Sequence, residues 1–249
     1  MGTVHFFPFS FRKALTRLIA GLDRVFLEGP LDERSRQEVV AQGSRGNSNA
    51  LLAALDCDTI RLVNYALGPP KARSQRLNLF PMPFQSKTID FPSCIEGLQP
   101  WMAFFCTWVQ YLKQKGWDYS MDLDAFHIAS NLAKSVSFLE TIEEQIQALE
   151  GIPVERIIAF FRDVKNWDRY IEQHIHFYLK GDLDGWPGTT MGFPTRCASI
   201  LDERDPILFE RMRGPLAEGN TAVFVGIPHV RVIKPLLVKD GFLVEQVAK

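Results

Sequence analysis

Cysteine is scarce in this chain of 249 residues. The four present, Cys57, Cys94, Cys106 and Cys197, are widely spaced and contain no CxxC pair. That excludes the usual zinc-ribbon spacings and a dense disulfide framework, and leaves free, mostly buried thiols as the expectation. An excess of charge of either sign is also missing, because 28 Lys and Arg stand against 29 Asp and Glu. A formal net charge of −1 gives no electrostatic case for nucleic acid or an anionic membrane as partner. No apolar run approaches the roughly 20 residues needed for a membrane span. The order of a signal peptide is absent as well, since Arg12, Lys13 and Arg17 interrupt the first apolar stretch instead of preceding it. A cytoplasmic location is expected for the chain as given, with an upstream segment left open because the first motif begins at Gly2.

Hydrophobic residues make up 46% of the chain and charged residues 23%, enough apolar material for a sizeable core. Residues 4–7 form a β-like run ended by Pro8, and residues 11–22 carry apolar side chains at helical spacing. Residues 25–27 predict a buried strand, and Asp32 can cap a helix with residues 35–42 as its body. This β-α-β-α order predicts an α/β fold with a central, mostly parallel sheet and flanking helices. The stretch 43–49 predicts a flexible polar loop, and residues 68–100, with many prolines and little periodicity, an irregular excursion. A single domain over 1–249 is expected, with 43–117 a helical or irregular insertion. Further helices are predicted at 101–115, 124–133, 142–149, 154–179, 202–212 and 230–239. Strands are predicted at 136–139, 221–225 and 242–247. The aromatics of 101–111 are expected to pack as a core face.

Three strand ends carry polar groups where open α/β sheets keep their ligands, outside the carboxyl ends of the strands. His5 follows Gly2-Thr3-Val4, Glu28 follows Val25-Phe26-Leu27, and His229 follows Gly226-Ile227-Pro228. Each taken singly is an ordinary structural residue. A parallel sheet would bring all three to one edge, where each costs desolvation that a packed fold would otherwise avoid. Two imidazoles and a carboxylate suit Zn, Mn, Fe or Co, with positions left for water and substrate. Without a metal, the same groups can serve as a general base and its orienting partners. His174 and His176, two apart on a predicted helix, point to different faces, and mid-helix His127 is expected to be structural.

The paired GTVH and GIPH motifs, with FLEG between them, resemble the TraB/GumN family, which includes the Tiki proteins. KSVSFLETIEEQ, YLKGDL, ERDPILFERM, NTAVFVGIPH and DGFLVEQV follow in the same order. The resemblance implies an erythromycin-esterase/ChaN-like fold, an α/β architecture with helical insertions. It also implies metal-dependent proteolysis by the GxxH histidines and the glutamate between them, carried here by His5, His229 and Glu28. The ion implied is divalent (Mn, Co or Zn) and the substrate a peptide or protein. Arg204 matches the family's arginine and would bind substrate or orient Glu28, or else form a local salt bridge with Asp205 or Glu203. Glu28 and Arg204 are thus the expected catalytic pair, with Arg12 and Glu140 as substrate-binding candidates. For Glu140 the competing reading is a helix start, since Thr141 and Glu144 have capping-box spacing. Two features depart from the family pattern: only Met1 precedes Gly2, and Ile227-Pro228 stands where small residues are usual. The expected function is a metal-dependent hydrolase of peptide bonds. The alternatives are a metal-free, esterase-like hydrolase and a non-catalytic protein that binds a peptide or haem-like ligand or inhibits signalling.

Overall fold

The computed structural model describes residues 1–68, 90–182 and 192–246. Its strands are β1 (Gly2–Thr3), β2 (Arg24–Leu27), β3 (Ser135–Phe138) and β4 (Thr221–Gly226), all paired in parallel in the order β1-β4-β2-β3. Parallel neighbours need long crossovers, and helices supply them. The first crossover is α1 (Arg12–Ala20). The second passes through α2 (Glu33–Gly43), α3 (Asn49–Ala53), α4 (Cys57–Leu67), α5 (Phe91–Ile95), α6 (Pro100–Gln114) and α7 (Met121–Asn131). The third holds α8 (Ile142–Glu150), α9 (Val154–Arg162), α10 (Trp167–Lys180) and α11 (Asp205–Ala217), and α12 (Ile227–Lys239) leaves β4. This is the α/β class that the alternation predicts.

Period-two alternation in β4 feeds two separate cores. Phe224 is fully buried in the larger core with Val25, Leu27, Leu15 and Ile19. Val223 and Val225 point to the other face, against Leu208, Met212 and Ile233 of α11 and α12. A sheet covered on both faces has strands without a wet side, so β4 is almost continuously apolar.

Four segments differ from expectation. The first strand lies at Gly2–Thr3, not at 4–7, and Phe7 makes only an isolated antiparallel bridge with Tyr119. Residues 43–49 are not a loose loop: Ser48 is buried and its hydroxyl donates to the Leu98 carbonyl (2.7 Å), while the Gly46 amide donates to that of Gly97 (3.0 Å). Polar composition masked these pairings, which tie α2 to the start of α6. The helix predicted at 154–179 is broken by a 3-10 turn at Val164–Asn166. Residues 242–246 form no strand. Alternating apolar residues need a partner edge, and here Phe242 closes α12 by donating to the Leu237 carbonyl, while Gln246 reaches Gly181 instead of the sheet. Of the proline-rich stretch, 69–89 lies outside the described residues, as does Val247; residues 91–95 are helical.

Candidate active site at the strand ends

The strand order puts the motif residues along one edge. Moving across the sheet from β1 through β4 and β2 to β3, the carboxyl ends lead to His5, His229, Glu28 and Glu140 in turn. The ladder persists past β2 and β3, because the Glu140 amide donates to the Glu28 carbonyl (3.0 Å). Glu28 and Glu140 therefore sit side by side, about one strand spacing apart.

Each histidine of a GxxH motif is held by an aspartate. His229 is buried in the first turn of α12, and its Nδ1 bonds Asp205 Oδ1 at 2.5 Å. Asp205 is wholly buried at the start of α11. His5 Nδ1 bonds Asp122 Oδ2 at 2.9 Å, and the other oxygen of Asp122 accepts from the Thr3 hydroxyl at 2.5 Å. Asp122 reaches His5 because α7 starts against the first motif, with the Met121 amide donating to the Val4 carbonyl (3.2 Å). Engaging Nδ1 in this way fixes each ring and turns Nε2 to the site, where an ion would have to displace the Nε2 proton. Asp122 and Asp205 were not singled out in the sequence for this role. An acidic residue in a first helical turn is commonplace there.

Arg204 ties the two glutamates together. Its Nη2 donates to Glu28 Oε1 (2.6 Å) and Glu140 Oε1 (2.6 Å), and its Nε donates to Glu140 Oε2 (3.0 Å). Neither Asp205 nor Glu203 pairs with it among the described residues. The second oxygen of Glu28 accepts the Gly226 amide (2.7 Å), and His229 Nε2 lies 3.5 Å from Glu28 Oε1. Thr141 and Glu144 do form the capping box of α8, immediately after Glu140.

Burial opposes ionisation of Glu28, but His229 and Arg204 outweigh it and hold the carboxyl well below the usual carboxylate range. Burial and the neighbouring Glu28 charge raise Glu140 to about 7, against the pull of Arg204. Burial also disfavours protonation of both histidines, yet Asp122 raises His5 to about 9, and Glu28 with Asp205 raises His229 to about 9. The two carboxylates thus diverge although they share one guanidinium, because His229 bears most strongly on Glu28, and the Glu28 charge in turn raises Glu140.

His5, Glu28, Arg204 and His229 open on one hollow of about 230 Å³, walled among others by Phe105, Trp108, Trp117 and Phe193. Phe105 and Trp108 thus face this space, whereas Trp101, Phe104 and Tyr111 of the same helix are buried core. His174 lines it too; burial, then the Arg196 charge, lower its pKa to about 3. Arg12 does not line it, and pairs with Asp124 (3.1 Å) across α1 and α7.

A family model described as the TraB/PrgY/gumN family matches residues 1–246. The chain belongs to that family. No curated protein and no solved structure matches it. The match runs through both GxxH motifs and every residue of the polar edge. Among the described residues no helix is long and apolar enough to cross a membrane.

For a metal ion, the chemistry of the donors fits. Two imidazoles have Nδ1 engaged by carboxylates, the arrangement common behind metal-bound histidine. Two ligand atoms, each about 2.0–2.1 Å from a tetrahedral ion, stand roughly 3.4 Å apart. His229 Nε2 and Glu28 Oε1 are 3.5 Å apart. No group of three or more His, Cys, Asp or Glu side chains among the described residues is close enough to hold an ion unaided. The fit therefore rests on the His229–Glu28 pair, with His5 on the wall of the same hollow.

Proposed function

We propose that this TraB/PrgY/gumN-family protein is a hydrolase of peptide bonds that uses a divalent ion, Zn, Mn or Co. The observation that carries the reading is the pair of Asp-backed histidines that share one pocket wall with Glu28, His229 next to it and His5 beyond. His229 and Glu28 would hold the ion, with His5 contributing from β1. Bound there, it would supply Lewis acidity toward a carbonyl oxygen and acidify a water. Asp205 and Asp122 keep each Nε2 turned to the site. Arg204 keeps Glu28 ionised and fixed in direction, a positioning role, since its Nη2 and Nε are taken by the two glutamates and its Nη1 is turned to the Ile200 carbonyl. Glu140, bonded to Arg204 and raised toward neutrality, completes that clamp. The apolar walls admit a side chain next to the scissile bond and exclude bulk water, which strengthens every charge interaction inside.

Metal analysis of the purified chain, joined to cleavage of an unbiased peptide library, tests this. Near-stoichiometric metal that is lost in His229→Ala, with cleavage lost in both His229→Ala and His5→Ala, is the expected result. A chain that binds no divalent metal and cleaves no peptide rejects it. A metal-free hydrolase is favoured by one observation, the lack of a three-ligand cluster among the described residues. Activity that survives EDTA but still requires both histidines selects that second reading.

A further inference from the structure

Among the described residues three arginines line the hollow, and two are occupied: Arg204 by the glutamates and Arg36 by Glu33 (2.5 Å). The third, Arg196, lies in the segment between α10 and α11, after Phe193 and Thr195, which also line the hollow. Its backbone amide donates to the Phe193 carbonyl (3.0 Å), which sets the turn that presents it. Among the described residues no hydrogen bond or ion pair engages its guanidinium. The side chain is half-buried and lines a hollow whose walls include Phe105, Trp108, Trp117 and Phe193, and the neighbouring charge that bears on it is a second cation, exposed Arg231 on α12. Burial, then Arg231, push its pKa down to about 10. A guanidinium withdrawn from water without a carboxylate is unfavourable in a free protein, and a fork of donors with no acceptor suits a planar oxyanion.

We infer that Arg196 is a carboxylate-binding residue, and that the hollow takes the C-terminal residue of a peptide, its free carboxylate on Arg196 and its apolar side chain among the aromatics. At about 230 Å³ the space falls below that of a drug-sized ligand site, and is suited to one residue. This deepens the hydrolase reading and rests on it for the peptide. Cleavage there would release the terminal residue: the C–N bond breaks, the water oxygen enters the new carboxylate, and the protons of the water go to the leaving amine and the solvent.

Calorimetric titration of the full chain with N-acetylphenylalanine, its C-terminal amide and 3-phenylpropanoate tests the inference by binding alone. The acid should bind at least about tenfold more tightly than the amide, the discrimination typical of a charged hydrogen bond. Arg196→Gln should remove that preference and Arg196→Lys retain part of it, while His229→Ala keeps it. If Arg196→Gln fails to fold, the acid preference of the unaltered chain should still shrink as salt is raised. Weaker binding of 3-phenylpropanoate than of the acid supports a peptide terminus, and equal binding overturns that assignment in favour of a free carboxylic acid. Acid and amide bound equally, neither bound, or a preference that persists in Arg196→Gln overturns the role of Arg196. The two readings fail separately. Cleavage without acid preference rejects only this inference, and acid preference without cleavage rejects only the hydrolase.

Discussion

At the scale of single residues, the aspartates behind the histidines carry the sharpest expectations. Under the proposed metal-dependent hydrolysis, Asp205→Asn keeps the size of the side chain but removes the charge that would make His229 a strong ligand. Loss of such a partner typically costs about 10–100-fold in metal affinity or activity. The same is expected of Asp122→Asn through His5, with far-ultraviolet dichroism unchanged; a mutant with full metal affinity and turnover would remove both aspartates from the mechanism. Arg204 differs because its loss strands two buried carboxylates. Arg204→Met should destabilise the chain by roughly 3–5 kcal/mol in urea unfolding, the usual effect of removing one partner of a buried ion pair. Glu140→Gln should cost much less, because burial already raises that carboxyl to about 7.

At the scale of elements, the site depends on how helices are pinned to strand ends. Gly226 ends β4, and a Cβ there would stand 3.2 Å from Glu28 Oε2 and 3.5 Å from His229 Cδ2. Gly226→Ala should therefore lower turnover by displacing Glu28 while leaving the melting temperature within a few degrees, a split that activity and calorimetry would expose. The start of α8 is tied to α11 by Arg211, whose Nη1 and Nη2 bond the Glu144 carboxylate at 2.6 and 2.7 Å. Those bonds hold Glu144 at about 2, down from the ordinary 4.5. A folded-state pKa below the unfolded value adds stability that is present above about pH 4.5 and lost as pH falls toward 2. Glu144→Gln should lower stability by at most about 1 kcal/mol near neutral pH, through the solvent-screened ion pair with Arg211, since Gln can still accept the Thr141 amide in the capping box. The difference between mutant and parent should vanish near pH 2 in acid-unfolding curves.

At the scale of the whole molecule, the second crossover closes on itself at Gly46. A Cβ there would meet the backbone of Gln99 at 2.2 Å, so Gly46→Ala has to separate α2 from α6. A loss of at least about 1–3 kcal/mol in denaturant unfolding is expected. Little change would mean that the segment joining these helices shifts freely. How legible such features are in a sequence depends on range. The β-α alternation, the Asp32 cap and the Thr141–Glu144 box are local, and their physics is complete within a few residues. Glu28 was readable because it directly follows a strand signal, and His5 and His229 because each closes a GxxH motif that begins in or at the end of a strand. Ser48 and Gly46 looked like loop residues because their partners, Leu98 and Gly97, are some fifty positions away. The aromatic periodicity of α6 identified a buried stripe but not that Phe105 and Trp108 border a hollow. By itself the sequence determined the α/β class, the family and the three residues that end strands, because strand and helix signals are short-range and a parallel sheet must gather its carboxyl ends on one edge. Only the tertiary structure decided that β4 inserts between β1 and β2, that Asp122 and Asp205 back the histidines, that Arg204 joins Glu28 to Glu140, and that Arg196 has no partner among the described residues. Those are pairings across long separations, selected by which charges can satisfy one another once water is excluded.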